Sequence, residues 1–262
     1  MLDVTPIPAF SDNYIWCLND PADKAAVVVD PGDGRAVLEA LAARGLELAG
    51  IMITHHHFDH TGGIDTLLAE SDVPVYGPHN PTIQQVSQRF GQGDAVTILG
   101  VEFSVLEVPG HTLDHIAFYS AGEQSQGRQP ILFCGDTLFA GGCGRLFEGD
   151  APMMHASLAQ LAALPATTRV YCAHEYTLAN LAFAVAVEPA NEELLRRIER
   201  DSQSREQALP TVPSSLELEL ATNPFLRCGD AAVAAQMQQR DGINGDDPVA
   251  VFAAVRAWKD NF

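Results

Sequence analysis

The sequence predicts an α/β protein whose strands give way to helices towards the C-terminus. Three observations carry this. Short apolar runs, each stopped by Gly, Pro or an Asn/Asp turn, alternate with helical patterns up to about residue 174. From residue 175 onward the apolar spacing is helical. The 262 residues, 47% apolar and 19% charged, suffice for one large domain or an ordinary domain plus a smaller one. The division is drawn between residues 1–174 and 175–262.

Asn13 to Leu18 reads as a strand, followed by the turn Asn19-Asp20-Pro21. Ala25 to Asp30 is a buried strand stopped by Pro31-Gly32. Val37, Leu38 and Leu41 give residues 34–44 a helical face, and Gly45 ends it. Gly50 to Ile53 is a strand, residues 64–69 a short helix, and Val73 to Tyr76 another strand. Residues 94–108 form a hairpin turning near Gly100, broken by Pro109-Gly110. Ile116 to Tyr119 is a strand, 121–130 a polar surface loop, and Ile131 to Cys134 a strand ending at Gly135-Asp136. Residues 140–144 read as a flexible loop, 152–163 as a helix, and Arg169 to Ala173 as a strand. Helices follow at 177–187, from Pro189 and Glu192 to Arg205 with Leu194, Leu195 and Ile198 on one face, at 231–239, and from the Asp247-Pro248 start to Lys259. Residues 209–215 are a Pro/Ser loop.

The net charge of −19 repels polyanions, so a nucleic-acid partner is not expected. No window approaches a membrane span, and the first residues lack a signal-peptide pattern. Five scattered cysteines without CxxC suit reduced thiols in the cytoplasm, with Cys134 and Cys172 packed inside strands. A soluble monomer is expected.

The chemistry concentrates in Thr54-His55-His56-His57-Phe58-Asp59-His60, which holds four of the nine histidines. In half-extended backbone His55, His57 and Asp59 point one way and His56 the other. Imidazole and carboxylate are the usual ligands of zinc and similar metals. His55, His111, Asp136 and His174 each lie just past the end of an apolar strand, the edge at which sites gather in open sheets. With His57, Asp59 and His60 that makes seven candidate ligands, more than one four-coordinate metal needs.

Two metals resolve the count. His55, His57 and His111 go to one, Asp59, His60 and His174 to the other, and Asp136 bridges them beside a water or hydroxide. Such a pair, about 3.5–4 Å apart, lowers the water pKa from about 15.7 towards about 7 and polarises a carbonyl, so no Ser or Cys nucleophile is needed. Asp59 and Asp136 are thereby expected to be catalytic as well as ligating. His115 is a weaker ligand candidate, His79 and His155 are ordinary positions, and Asp30 stands where it could orient a ligand.

These residues resemble the metallo-β-lactamase superfamily and, more closely, glyoxalase II, the hydroxyacylglutathione hydrolases. The resemblance rests on His55-x-His57-x-Asp59-His60, Gly135-Asp136-Thr137-Leu138-Phe139, Gly142-Cys143-Gly144-Arg145, His174-Glu175-Tyr176-Thr177 and the closing Arg256-x-x-Lys259-Asp260. It implies an αββα sandwich over 1–174 carrying the catalytic centre, and a helical substrate-binding domain over 175–262. It implies two divalent metals, zinc first, or iron or manganese. It also implies hydrolysis of S-D-lactoylglutathione and related thioesters to glutathione and the hydroxy acid. The thiolate leaving group, with a thiol pKa of about 8.5, needs little help from an acid. The family's glutathione contacts fall on Arg145, Tyr176, Arg256 and Lys259. Many relatives have Lys at position 145 and Tyr at 147, where this chain has Arg145 and Phe147. The same scaffold also supports one-iron oxidation of persulfides, which uses fewer ligands.

Overall fold

The computed structural model describes residues 2–122 and 129–262. The chain forms two compact units, Met1–Glu107 with Asp114–Gly135, and Val108–Leu113 with Asp136–Phe262. Residues 136–174 belong to the second of these compact units.

The first unit opens with β1 (Asp3–Ala9), β2 (Asn13–Asn19) and β3 (Ala25–Val29) as an antiparallel meander. β1 escapes sequence reading because Pro6 and Pro8 argue against a strand; it forms at the sheet's edge, where a missing N–H is tolerated. Helix α1 (Gly34–Arg44) returns the chain so that β4 (Glu47–Met52) runs parallel to β3. Asp33 caps it by accepting from Arg35 N and Ala36 N. One helical turn, α2 (Phe58–Thr61), and α3 (Ile64–Leu68) follow, then β5 (Val75–Pro78) and β6 (Gln88–Phe90), both parallel to the preceding strand. β5 begins two residues later than the apolar run suggests, and β6 was not legible. Val28, Val37, Leu41, Ile51, Ile53 and Leu67 are among the side chains that bury this sheet against α1 and α3. Such contacts contribute roughly 1.5–3 kcal/mol per fully buried aliphatic side chain.

β7 (Ala95–Ile98), β8 (Val101–Glu107), β9 (Ile116–Ser120) and β10 (Ile131–Gly135) are successive antiparallel neighbours in a second sheet. The β7–β8 turn is Leu99-Gly100 with both φ positive, 46° and 76°, the backbone that keeps a two-residue hairpin in twist. The expected loop over 121–130 falls largely on residues outside those described.

The second unit contains a two-stranded hairpin, β11 (Leu138–Phe139) and β12 (Gly142–Cys143), then α4 (Ala151–Ala162) and β13 (Arg169–Cys172). Helices α5 (Thr177–Val187) and α6 (Glu192–Glu206) follow, then β14 (Ser214–Ser215), α7 (Leu216–Thr222), α8 (Ala231–Asp241) and α9 (Pro248–Asp260). β14 pairs antiparallel with β13. Residues 140–144 are therefore not a flexible loop: all five are buried, because side chains from the helices bond to the turn backbone. Pro189 precedes the helix rather than starting it, since Asn191 is the cap and accepts from Leu194 N. Leu195 is exposed, and the face of α6 that turns inward carries Leu194, Arg197 and Asp201. No helix among the described residues is long and apolar enough to cross a membrane.

Candidate metal centre

Strand β4 delivers Ile53, Thr54 and His55 into a buried position. His57 is still extended, at φ −60° and ψ 147°. The alternation expected through Asp59 ends there. The His57 carbonyl accepts from His60 N at 3.0 Å, Thr61 N at 3.1 Å and Thr61 Oγ1 at 3.0 Å, which closes the α2 turn. Asp59 and His60 are thus placed by a helical turn. Asn13, at the start of β2, donates to Asp59 Oδ2 at 2.9 Å, and His60 Nε2 lies 3.5 Å from the same oxygen. Gly32 lets Asp59 approach this closely: a Cβ there would lie 1.9 Å from the Asp59 carbonyl oxygen.

Asp30 organises the same cluster. It is buried, at φ 54°, and its carboxylate accepts from Thr54 N at 2.7 Å, Thr54 Oγ1 at 2.7 Å and His60 Nδ1 at 3.0 Å. One atom each of Asp30, His55 and His60 falls within 4.8 Å of the others. Both Asp30 oxygens are already engaged, so Asp30 positions rather than ligates. The bonds also set tautomers. Thr54 Oγ1 gives its hydrogen to Asp30, so it can only accept from His55 Nδ1, 3.1 Å away. His55 and His60 are therefore protonated on Nδ1 and carry lone pairs on Nε2, as a metal ligand requires. His55 Nε2 lies 3.1 Å from His57 Nδ1. His115 stacks on the His55 ring, centroids 4.5 Å apart, and its Nδ1 faces the Ile116 carbonyl. His56 is paired to Asp114 at 2.8 Å.

In the second unit His111, Asp136 and His174 are all buried. The two oxygens of Asp136 face different histidines: Oδ2 is 3.4 Å from His111 Nε2, and Oδ1 is 3.4 Å from His174 Nε2. His111 Nδ1 donates to the Arg145 carbonyl at 2.8 Å, which leaves Nε2 with its lone pair towards Asp136. Tyr176 stacks on His174, centroids 4.6 Å apart, and Phe147 meets His111 edge-on at 5.2 Å.

The residues read as substrate contacts also lie in this unit. Arg256 is buried, with Nη1 donating to the Cys143 carbonyl at 3.0 Å and Nη2 to Asp260 at 2.9 Å. Arg145 is exposed and 3.9 Å from Asp260. Lys259 Nζ donates to the Ala179 carbonyl at 3.3 Å. Burial, and then the neighbouring Arg256 and Arg145, pull the Lys259 ammonium below its usual pKa. Sequence reasoning left these supports unread. Asn13 and Asp59 are 46 positions apart with no shared motif, whereas Asp30 at least carried the signal of a strand end.

These donor sets fit divalent cations. A tetrahedron with arms of about 2.0–2.1 Å has edges of about 3.3–3.4 Å. The His111–Asp136 and His174–Asp136 separations of 3.4 Å, and the His60–Asp59 separation of 3.5 Å, match that edge better than the usual hydrogen-bond length.

Comparison with known proteins agrees. Residues 14–174 match the family described as the metallo-beta-lactamase superfamily, and residues 175–262 the one described as the hydroxyacylglutathione hydrolase C-terminus. The hydroxyacylglutathione hydrolase of Ectopseudomonas mendocina is 51% identical, with all of both chains covered. The crystal structure of ETHE1 from Myxococcus xanthus shares the fold, with a TM-score of 0.64, 23% identity, and coverage of 99% of this chain and 98% of that one. The crystal structure of TTHA1623 in a di-iron-bound form is 27% identical, with a TM-score of 0.53, and covers 66% of this chain and 91% of that one.

Proposed function

The chain belongs to the hydroxyacylglutathione hydrolase family of the metallo-β-lactamase superfamily, and from that premise we propose that it hydrolyses S-D-lactoylglutathione and related 2-hydroxyacylglutathiones. The products are glutathione and D-lactate, the second step of methylglyoxal detoxification. The observation that carries the reading is Asp136, whose two oxygens face the Nε2 atoms of two different histidines. A carboxylate so placed is suited to bridge two cations.

In this reading His55, His57 and His111 hold one divalent metal and Asp59, His60 and His174 the other, with Asp136 shared. Zinc is the first choice, with iron or manganese as alternatives. The di-iron form of TTHA1623 supports two metals on this fold. Bound cations would make a water acidic enough to attack at neutral pH and would polarise the thioester carbonyl. The chain's own residues do the rest. Asp30 and Thr54 keep the ligand nitrogens of His55 and His60 unprotonated. With the metals bound, Asp59, whose side chain is 39% exposed, would offer a released proton a way to solvent. Arg145 and Lys259 offer cations to the glutathione carboxylates, and a bound carboxylate would counter the burial and the neighbouring arginines that together hold the Lys259 pKa down. Tyr176, stacked on His174, walls the site. Arg256 supports the glutathione side by fixing Cys143 and Asp260.

The reading includes a functional boundary between residues 174 and 175, a monomer, and a cytoplasmic location. The last is supported by five buried cysteines and no CxxC motif. Metal analysis alongside hydrolysis of S-D-lactoylglutathione tests the whole. About two metals per chain with thioesterase activity is expected. One iron per chain with no thioester cleavage would favour the oxidative alternative and sink this one.

A further inference from the structure

The buried carboxylate of Glu219 has no role in the chemistry above, yet every partner it has is a hydrogen-bond donor. Glu219 is fully buried on α7. Its Oε1 accepts from Arg197 Nη2 at 2.7 Å. Its Oε2 accepts from Gly141 N at 2.8 Å and Asn223 Nδ2 at 3.1 Å. Arg197 is equally buried and is held besides by Asp201 at 3.2 Å and Thr222 at 2.7 Å. Burial alone would lower the Arg197 pKa, but Glu219 and Asp201 outweigh it and keep the guanidinium charged.

The partner that matters is Gly141. It is the apex of the β11–β12 hairpin, and the hairpin's arms lead to the site on both sides. Phe139 on one arm packs edge-on against His174 and Tyr176, at 5.8 and 5.3 Å. Cys143 on the other arm gives its carbonyl to Arg256, and Arg145 lies two residues further on. Asn180 and Asn223 hold the remaining carbonyls of the turn, at 3.1 Å to Ala140 and 2.9 Å to Gly142. A buried Arg–Glu pair is a poor source of stability, because desolvation consumes most of the attraction. What it does supply is a fixed direction for an acceptor.

We propose that Glu219, locked by Arg197, is a positioning residue that sets the 138–145 turn and thereby the glutathione-binding edge that carries Arg145 and Tyr176 and is braced by Arg256. This rests on the proposed glutathione-thioester activity. A carboxylate is required because an amide at 219 would turn an NH2 towards Arg197 on one side, or towards Gly141 and Asn223 on the other.

The test is Glu219→Gln in the metal-loaded enzyme. KM is measured for S-D-lactoylglutathione and for S-D-lactoyl-N-acetylcysteamine, which lacks the glutathione peptide. Loss of one buried charge-assisted bond at the turn should raise KM for the glutathione thioester about tenfold. The kcat should stay within about twofold, and metal content and KM for the short thioester should not move. Binding of S-hexylglutathione should weaken by the same factor. An unchanged KM in an active enzyme overturns the proposal and leaves the activity intact. Equal losses for both thioesters, or loss of metal, overturn it in favour of a purely structural role. A wild-type enzyme that cleaves neither thioester refutes the activity, and the proposal with it. If Glu219→Gln does not fold, Asn180→Ala removes a single bond to the same turn and is expected to raise KM in the same selective way, and an unchanged KM there counts equally against it.

Discussion

Replacing Asp30 by Asn should strip metal from the protein without touching a ligand. The substitution is nearly isosteric, and Asn tolerates the left-handed backbone at φ 54°, so strain does not enter. What changes is the sense of the hydrogen bonds. The wild-type carboxylate accepts three, two of them on Oδ2, from Thr54 Oγ1 and His60 Nδ1. If the Asn oxygen keeps the Thr54 N–H, its NH2 faces those two groups. His60 must then put its proton on Nε2 to accept at Nδ1, and a protonated Nε2 cannot ligate. Thr54 Oγ1 is likewise released from its duty to accept from His55.

Two buried bonds to a charged group, each contributing roughly 1.5–3 kcal/mol, are lost. The metal-free protein should therefore be less stable by about 3–6 kcal/mol, a large part of the usual total of about 5–15 kcal/mol. Loss of such a supporting bond typically costs about 10–100-fold in metal affinity. Urea denaturation of the metal-free protein reads the first effect, and chelator competition the second. Thr54→Val is the companion: it removes the hydroxyl relay to His55 and spares the Asp30–His60 bond. An Asp30→Asn protein with wild-type metal affinity would refute the tautomer argument, whatever its stability.

Three further outcomes are expected. Asp136→Ala should lose at least one metal and almost all turnover, since its two oxygens serve two histidine-bearing positions; full metal content at full rate would end the bridging role. Lys259→Ala should raise KM for glutathione thioesters with little change in stability. Arg256→Ala should also lower the urea midpoint, because it abandons the buried Cys143 carbonyl and frees Asp260; equal stability of the two variants would contradict the geometry. Burial raises the thiol pKa of Cys143 to about 11 and of Cys172 to about 12, from an ordinary 9.0. Between pH 9.0 and about 11 the unfolded chain binds fewer protons than the folded one. Stability contributed by these thiols is thus fully present below pH 9 and is lost as the pH rises, and a urea midpoint that is flat across that range would count against it.

What the sequence displayed was donors at the ends of apolar strands. His55, His111, Asp136 and His174 were legible as candidates because an apolar run followed by glycine, alanine or threonine announces a strand end, and imidazole and carboxylate announce metal chemistry. What it concealed was whatever depends on a partner far along the chain. A glycine-rich stretch at 140–144 looks mobile by itself; it is fixed by Asn180, Glu219 and Asn223, which lie 40 to 81 positions further along the chain. The apolar pattern of α6 counts Leu195 into the core and Arg197 out of it, and the structure reverses both, because Glu219, Asp201 and Thr222 supply the partners that let Arg197 be buried.

The same division runs through the proposed metal centre. A ligand histidine is useful only when its other nitrogen has been assigned a proton. That assignment is made by Asp30 through Thr54 for His55, by Asp30 directly for His60, and by the Arg145 carbonyl for His111. None of these acceptors belongs to the ligand motif. The motif therefore names the atoms that could touch a metal. The acceptors behind them decide whether those atoms carry a lone pair, so Asp30→Asn should cost metal while every motif residue remains in place.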